Sequence, residues 1–177
     1  MPIVINGSGT VTGLSVGGLP DGIVDTDMLA AAAVTASKRG AGAILQVIHG
    51  STTTYFQTSS DTMADIGLSA SITPSSSSNK VLVFGNIGGI ETSADDGYGG
   101  GRLLRDSTSI IADIDRGVGY TADSTRQGTN AQFFILDTPS STSSITYKVQ
   151  FRRQGSGTIT TQTNSSRSAI TLMEVAA

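Results

Sequence analysis

From Ala43 onward the apolar residues of this chain tend to recur at every second position, in short runs closed by turn-forming residues. That period suits a strand with one face buried, whereas an amphipathic helix returns to the same face every 3.6 residues. The clearest run is DIGLSASITP, which sets Ile66, Leu68, Ala70 and Ile72 on one side and stops at Pro74 and the serines 75–78. Lys80–Ile90, KVLVFGNIGGI, reads as a strong strand whose glycines mark bulges or close packing. Arg102–Arg105 and Ser109–Ile114 predict a hairpin around Asp106-Ser107-Thr108, and AQFFIL at 131–136 an apolar run for the core. Thr146–Arg152 alternates Tyr147, Val149 and Phe151 with polar residues, residues 158–163 make a short strand, and Ser168–Val175 closes the chain with Ile170, Leu172 and Ala176 inward. Ahead of these, Ile44, Val47 and Tyr55 belong to strands, with a turn near Gly50-Ser51. About nine short strands with short connections, and no helical pattern after residue 40, predict an antiparallel β-sandwich of jelly-roll type.

The first forty residues follow a different rule. Gly13–Val34, GLSVGGLPDGIVDTDMLAAAAV, is too polar and glycine-rich to fold by itself. Pro20 fixes φ, Asp21-Gly22 supplies turn chemistry, and Asp25 or Thr26 caps a short helix through Met28, Leu29 and Ala30–Ala33 that Gly40 ends. A helix of about ten residues is below the length that is stable alone in water. Its small face of Leu29, Ala32, Ala33 and Ala36 lets symmetric copies approach closely; a plain linker is the competing reading. The chain therefore divides into an extended N-terminal attachment and alignment segment, 1–40, and a β-sandwich domain, 41–177. Leu14, Leu19, Pro20, Asp21, Leu29 and Ala33 are the candidates for docking or for aligning identical copies.

Glycine, serine and threonine fill 69 of 177 positions, and hydrophobic residues only 37%, below the range usual for a globular domain. A chain so thin in apolar residues, yet so regularly patterned, is expected to complete its burial with identical subunits. Net charge is −3, and the 11 basic residues are scattered, so there is no electrostatic footprint for nucleic acid. Cysteine is absent, which removes disulfides and thiol catalysis. No run of about 18 apolar residues exists to span a membrane, and MPIVINGSGT lacks the pattern of a signal peptide.

Nothing in the site inventory points to an enzyme, a metal or a cofactor. His49, the only histidine, has no G-x-S-x-G partner and reads as a strand-edge or interface residue. Asp25 and Asp27 suit helix capping better than cation binding, which needs six or so oxygens. Asp113 and Asp115, with Arg116, read as a solvated face or an intersubunit salt bridge, and the lack of tryptophan disfavours a glycosidase. The segment Glu91–Gly101 reads as an acidic, glycine-rich, solvent-facing loop carrying Tyr98, and Tyr120–Asn130 as a second polar loop. Tyr98, Arg102, Tyr120 and Arg126 are the candidate receptor contacts.

Several of these stretches carry a resemblance. The segment GLSVGGLPDGIVDTDMLAAAAVT is similar to one that recurs in tail fibres of tailed bacteriophages. DIGLSASITPSSSSNKVLVF, GRLLRDSTSII, FFILDTPSSTSSITYKVQFR and ITLMEVAA resemble a small β-sandwich domain of phage virion appendage proteins. The resemblance implies a virion protein made in the host cytoplasm, trimeric, with an N-terminus that docks to other virion proteins and a distal domain that touches a host-surface glycan or protein. A long repetitive shaft is missing, which favours a short tail fibre or spike; the alternative is a capsid or baseplate decoration protein that stabilises the particle and binds no receptor.

Overall fold

The structure is a computed structural model that describes residues 38–93, 96–121 and 128–177, without the side chains of 113 and 115–121. The described unit spans Gly40–Ala177. The expected helix and docking residues Leu14, Leu19, Pro20, Asp21, Leu29 and Ala33 lie outside the described residues, as do Asp25, Asp27 and Arg126.

Ten strands follow one another: β1 (Ile44–Thr52), β2 (Phe56–Thr58), β3 (Ala64–Ile72), β4 (Lys80–Thr92), β5 (Gly97–Arg105), β6 (Thr108–Thr121), β7 (Gly128–Asp137), β8 (Ile145–Gly155), β9 (Ile159–Thr161) and β10 (Ser168–Val175). The helical element after residue 40, among the described residues, is a single 3-10 turn at Thr163–Ser165. One sheet runs β1-β10-β4-β9-β2, with β7 on the other edge of β4; the second runs β3-β8-β5-β6. All pairings are antiparallel. Two four-stranded sheets, β1-β10-β4-β7 against β3-β8-β5-β6, are the strand order of an eight-stranded jelly roll, with β2 and β9 as a short extension.

The period-2 pattern does what it predicted. Ile66, Leu68, Ala70 and Ile72 are all buried in β3, and Tyr147, Val149 and Phe151 of β8 are fully buried. They meet Val81, Val83, Ile87, Ile170 and Leu172 of the facing sheet in one core. Each buried Val, Leu, Ile or Phe side chain among them contributes roughly 1.5–3 kcal/mol on leaving water. The hairpin stands as expected, Arg105 pairing Thr108 across Asp106-Ser107. The β4 glycines also act as expected: the register with β7 slips by one residue between Ile87 and Ile90, and Gly89 takes up the bulge at φ 61.

Four expectations need correction. Gly50-Ser51 is no turn: β1 runs through it to Thr52, and Tyr55 lies just before β2. Gly97–Gly101 is no solvent-facing loop but the first half of β5, with Gly99 and Gly101 buried. A Cβ at either position would stand 2.6–2.7 Å from the ring of Phe151, so the glycines make room for a core aromatic. Tyr120 sits within β6, not in a loop. AQFFIL is only half core: Ala131 and Phe133 are buried, but Phe134 is 82% and Leu136 50% exposed.

Two buried carboxylates share one inward-facing row, Glu174 and Asp137, each paired in register with Val81 of β4 between them. Glu174 accepts hydrogen bonds from Asn79 Nδ2 (2.6 Å), Gln46 Nε2 (2.6 Å), Ser75 N (2.6 Å) and Ser75 Oγ (2.7 Å). These bonds pin the serine-rich β3–β4 connection to β10. Asp137 accepts from Arg105 Nη1 (2.9 Å) and from Tyr147 Oη (2.7 Å), joining the end of β7 to β5 and β8 of the opposite sheet.

Candidate functional site

The two outer faces of the sandwich differ in kind. On β3, β8 and β5 the outward positions are mainly polar, with Leu104 opposite Lys148 as an apolar exception. Tyr98, Gly100 and Arg102 of β5 stand opposite Gln154, Arg152 and Gln150 of β8. Arg102 Nε donates to Gln150 Oε1 (2.7 Å), Gln150 Nε2 to Asp65 Oδ1 (2.6 Å), and Lys148 Nζ to Asp65 Oδ2 (2.9 Å). Burial alone would raise the Asp65 pKa, but the hydrogen bonds from Lys148 and Gln150 and the charges of Lys148 and Arg102 outweigh it and hold the carboxyl below its ordinary value. At the same end, Arg152 Nε and Gln154 Oε1 are buried without a hydrogen-bond partner among the described residues. Buried orphan atoms cost free energy and in functional proteins are often completed by water or a ligand.

Two of the four candidate receptor contacts, Tyr98 and Arg102, thus share this face, on either side of Gly100, and both are half-buried. Tyr120 belongs to β6 of the same sheet, but its side chain and the whole of Arg126 lie outside the described residues. The backbone of Asp113 and Asp115 also lies in β6.

The opposite outer face, on β1-β10-β4-β7, is apolar at seven of the twelve positions of its three central rows. Cross-strand register aligns Val47, Met173, Leu82 and Leu136 in one row. His49, Thr171, Phe84 and Phe134 form the next, and Ser51, Ala169, Asn86 and Gln132 a third. Val47 is 53%, Phe84 39% and Phe134 82% exposed. A shallow depression of ≈ 350 Å³ opens between Phe84, Phe134 and Thr171. His49 is exposed on edge strand β1, its Nδ1 3.1 Å from Thr171 Oγ1. Sequence reasoning missed this face, although the adjacent phenylalanines at 133 and 134 carry the signal: a strand cannot turn both inward.

Among the described residues no helix is long and apolar enough to cross a membrane, and no group of three or more acidic or histidine side chains is placed to hold a metal ion.

No protein-family model matches the chain, and no curated protein matches it. Solved structures do. The chain is similar to VP2 of infectious bursal disease virus in its subviral particle, with TM-score 0.50 and 15% identity, over 74% of this chain and 32% of that one. It also aligns with the structure of the Gx strain of that virus at TM-score 0.46 and 14% identity, over 74% of this chain and 32% of that one. The chain thus spans about a third of the length of the structures it matches. The likeness to VP2 is one of fold, an antiparallel β-sandwich of the jelly-roll kind.

Proposed function

We propose that this chain is a non-enzymatic virion structural protein, a short tail fibre or spike of a bacteriophage. In this reading residues 1–40 dock to other virion proteins, and residues 41–177 are presented as a homotrimeric β-sandwich to a host-surface glycan or protein. The observation that carries the reading is the contrast between the outer faces: one exposes Val47, Phe84, Phe134 and Leu136 and is suited to burial in an assembly, the other is mainly polar and suited to display. That VP2 belongs to a viral particle is consistent with it. Tyr98 offers a ring for stacking and Arg102 a guanidinium on the same face; Tyr120 and Arg126 are the further contacts in this reading. Three copies of a weak contact on one axis gain through effective concentration, so no single deep pocket is required.

The paired variant Tyr98→Ala/Arg102→Ala is expected to weaken binding to host envelope fractions by at least about tenfold, since one lost contact is multiplied over the copies. Its thermal stability should stay close to that of the parent chain, because neither side chain belongs to the core. Undiminished binding would remove these residues from the contact surface.

The second reading is a capsid or baseplate decoration protein. The apolar face favours it, because such a face can equally seat on a neighbouring virion protein. Labelled electron microscopy of purified particles separates the two: label at the fibre tips supports the first reading, and label spread over the head or baseplate, with no envelope binding, the second.

A further inference from the structure

We propose that the outer face of β1-β10-β4-β7 is covered by two further copies of this chain, the three faces closing into a triangular prism around a three-fold axis. The proposal rests on the oligomeric virion reading above and gives it an interface.

The face is suited to self-association. Its three central rows, from Val47–Leu136 to Ser51–Gln132, occupy twelve positions without Asp, Glu, Lys or Arg, which keeps like charge out of the middle of the face; Arg167 Nη1 reaches Ser51 Oγ (3.1 Å) at one end. Lys80 stands one row beyond, at the margin beside Val175 and Ile44. Rows repeat about every 6.8 Å along the strands and strands lie about 4.8 Å apart, which makes a face of roughly 400 Å² in projection. Its large apolar side chains, Val47, Met173, Leu82, Leu136, Phe84 and Phe134, all lie within the first two rows, roughly 260 Å².

Width decides between two copies and three. Four strands make a face about 19 Å wide. Three faces of that width, closed as an equilateral prism, each stand about 5.5 Å from the axis, close to half of the roughly 10 Å at which sheet faces pack. Side chains of the size present, Phe84, Leu82 and Met173, fill that space. A flat pair would cover roughly 400 Å² of each copy, half of the about 800 Å² per partner of a standard interface. The prism adds a corner contact, in which edge strand β7 of one copy meets edge strand β1 of the next. The most exposed apolar side chains of the face stand there: Phe134 and Leu136 on β7, Val47 on β1. With the strands near-parallel to the axis, residues of one row share one height, so Leu136 of each copy faces Val47 of its neighbour.

The chain has no cysteine, so introduced thiols report contacts cleanly. In the full-length chain, Val47→Cys/Leu136→Cys treated with a short bismaleimide should give a covalent species that stops at three chains on a denaturing gel. Either single variant should stay monomeric there. Light scattering of the unmodified chain should give three times its 18.0 kDa mass. Phe134→Ser/Leu136→Ser should reduce the mass to one chain while keeping the β-sheet circular dichroism, since both side chains are outside the core. A covalent product ending at two chains, or a monomeric unmodified chain, overturns the prism. Full trimer mass in the double serine variant also overturns the interface, while leaving the structural reading intact if the protein is found on purified particles. Absence from those particles overturns the structural reading whatever the mass.

Discussion

Replacing Glu174 by alanine is expected to lower the stability of the domain by about 3–5 kcal/mol, measured by urea unfolding at fixed chain concentration. Glu174 is 1% exposed, and three donor groups besides the Ser75 hydroxyl point at its carboxylate. Removing it leaves Ser75 N and one N–H each of Asn79 Nδ2 and Gln46 Nε2 without an acceptor, although Gln46 Nε2 keeps its bond to Thr73 O (2.8 Å) and Asn79 Nδ2 a longer one to Ser75 Oγ (3.3 Å); the cost is about 1–3 kcal/mol for each that water fails to reach. Glu174→Gln should cost less, about 1–2 kcal/mol, because one amide oxygen still accepts from Ser75 and Asn79 while the amide nitrogen faces the Gln46 donor. The pH dependence follows from the same bonds. Burial by itself would raise the Glu174 pKa, but the hydrogen bonds from Asn79, Gln46 and Ser75 outweigh it and hold the carboxyl below its ordinary value. Its contribution is therefore present above the unfolded-state pKa of about 4.3 and is lost as pH falls from there through the depressed folded value. The stability gap between the parent chain and Glu174→Gln should shrink as pH is lowered from about 6 to about 3. A gap that stays constant over that range would mean that the charge of Glu174 is not what the donors hold.

Most of the fold can be read in the sequence because one rule, apolar at every second position, governs β3, β8 and β10. Ile66, Leu68, Ala70 and Ile72 are buried as a set, and so are Tyr147, Val149 and Phe151. The same rule, followed without regard to residue type, would also have found the features that were missed. Continuing from Ile170 and Leu172 it reaches Glu174, a charged residue in an inward position, before it reaches Ala176. Applied to AQFFIL it buries Ala131 and Phe133 and turns Phe134 and Leu136 outward. Gly97–Gly101 failed for another reason. Five residues with glycine at four of them carry turn chemistry in any local reading, and only the ring of Phe151, about fifty residues later, explains why side chains are excluded there. The candidate contact residues were half legible: alternation along β5 places Tyr98 and Arg102 on one face, once it is known that this segment is a strand at all.

Asp137→Ala should be the other large loss, about 3–5 kcal/mol, and toward the lower end because Arg105 keeps 25% of its side chain in water. The carboxylate of Asp137 sits on the first sheet, while the Arg105 guanidinium and the Tyr147 hydroxyl come from the second. Losing it leaves a partly buried cation and a buried phenol without their acceptor, at the point where the two sheets are tied together. Tyr147→Phe removes only one charged hydrogen bond and keeps the ring that fills the core, so about 1.5–3 kcal/mol is expected. The two changes should not add. Once Asp137 is alanine, the phenol has nothing to donate to, and Tyr147→Phe in that background should cost close to nothing or recover part of the loss, a coupling of about 1–3 kcal/mol. Burial first, and then the hydrogen bond to Asp137, push the Tyr147 phenol well above its ordinary pKa. Its contribution is therefore complete below the unfolded-state value of about 10 and declines as pH rises beyond it, because the unfolded chain ionises there and the folded one does not. Tyr147→Phe should remove that alkaline decline. Additive losses in the double variant, measured by the same urea unfolding, would show that Asp137 and Tyr147 act separately and that the tie between the sheets is the Arg105–Asp137 ion pair alone.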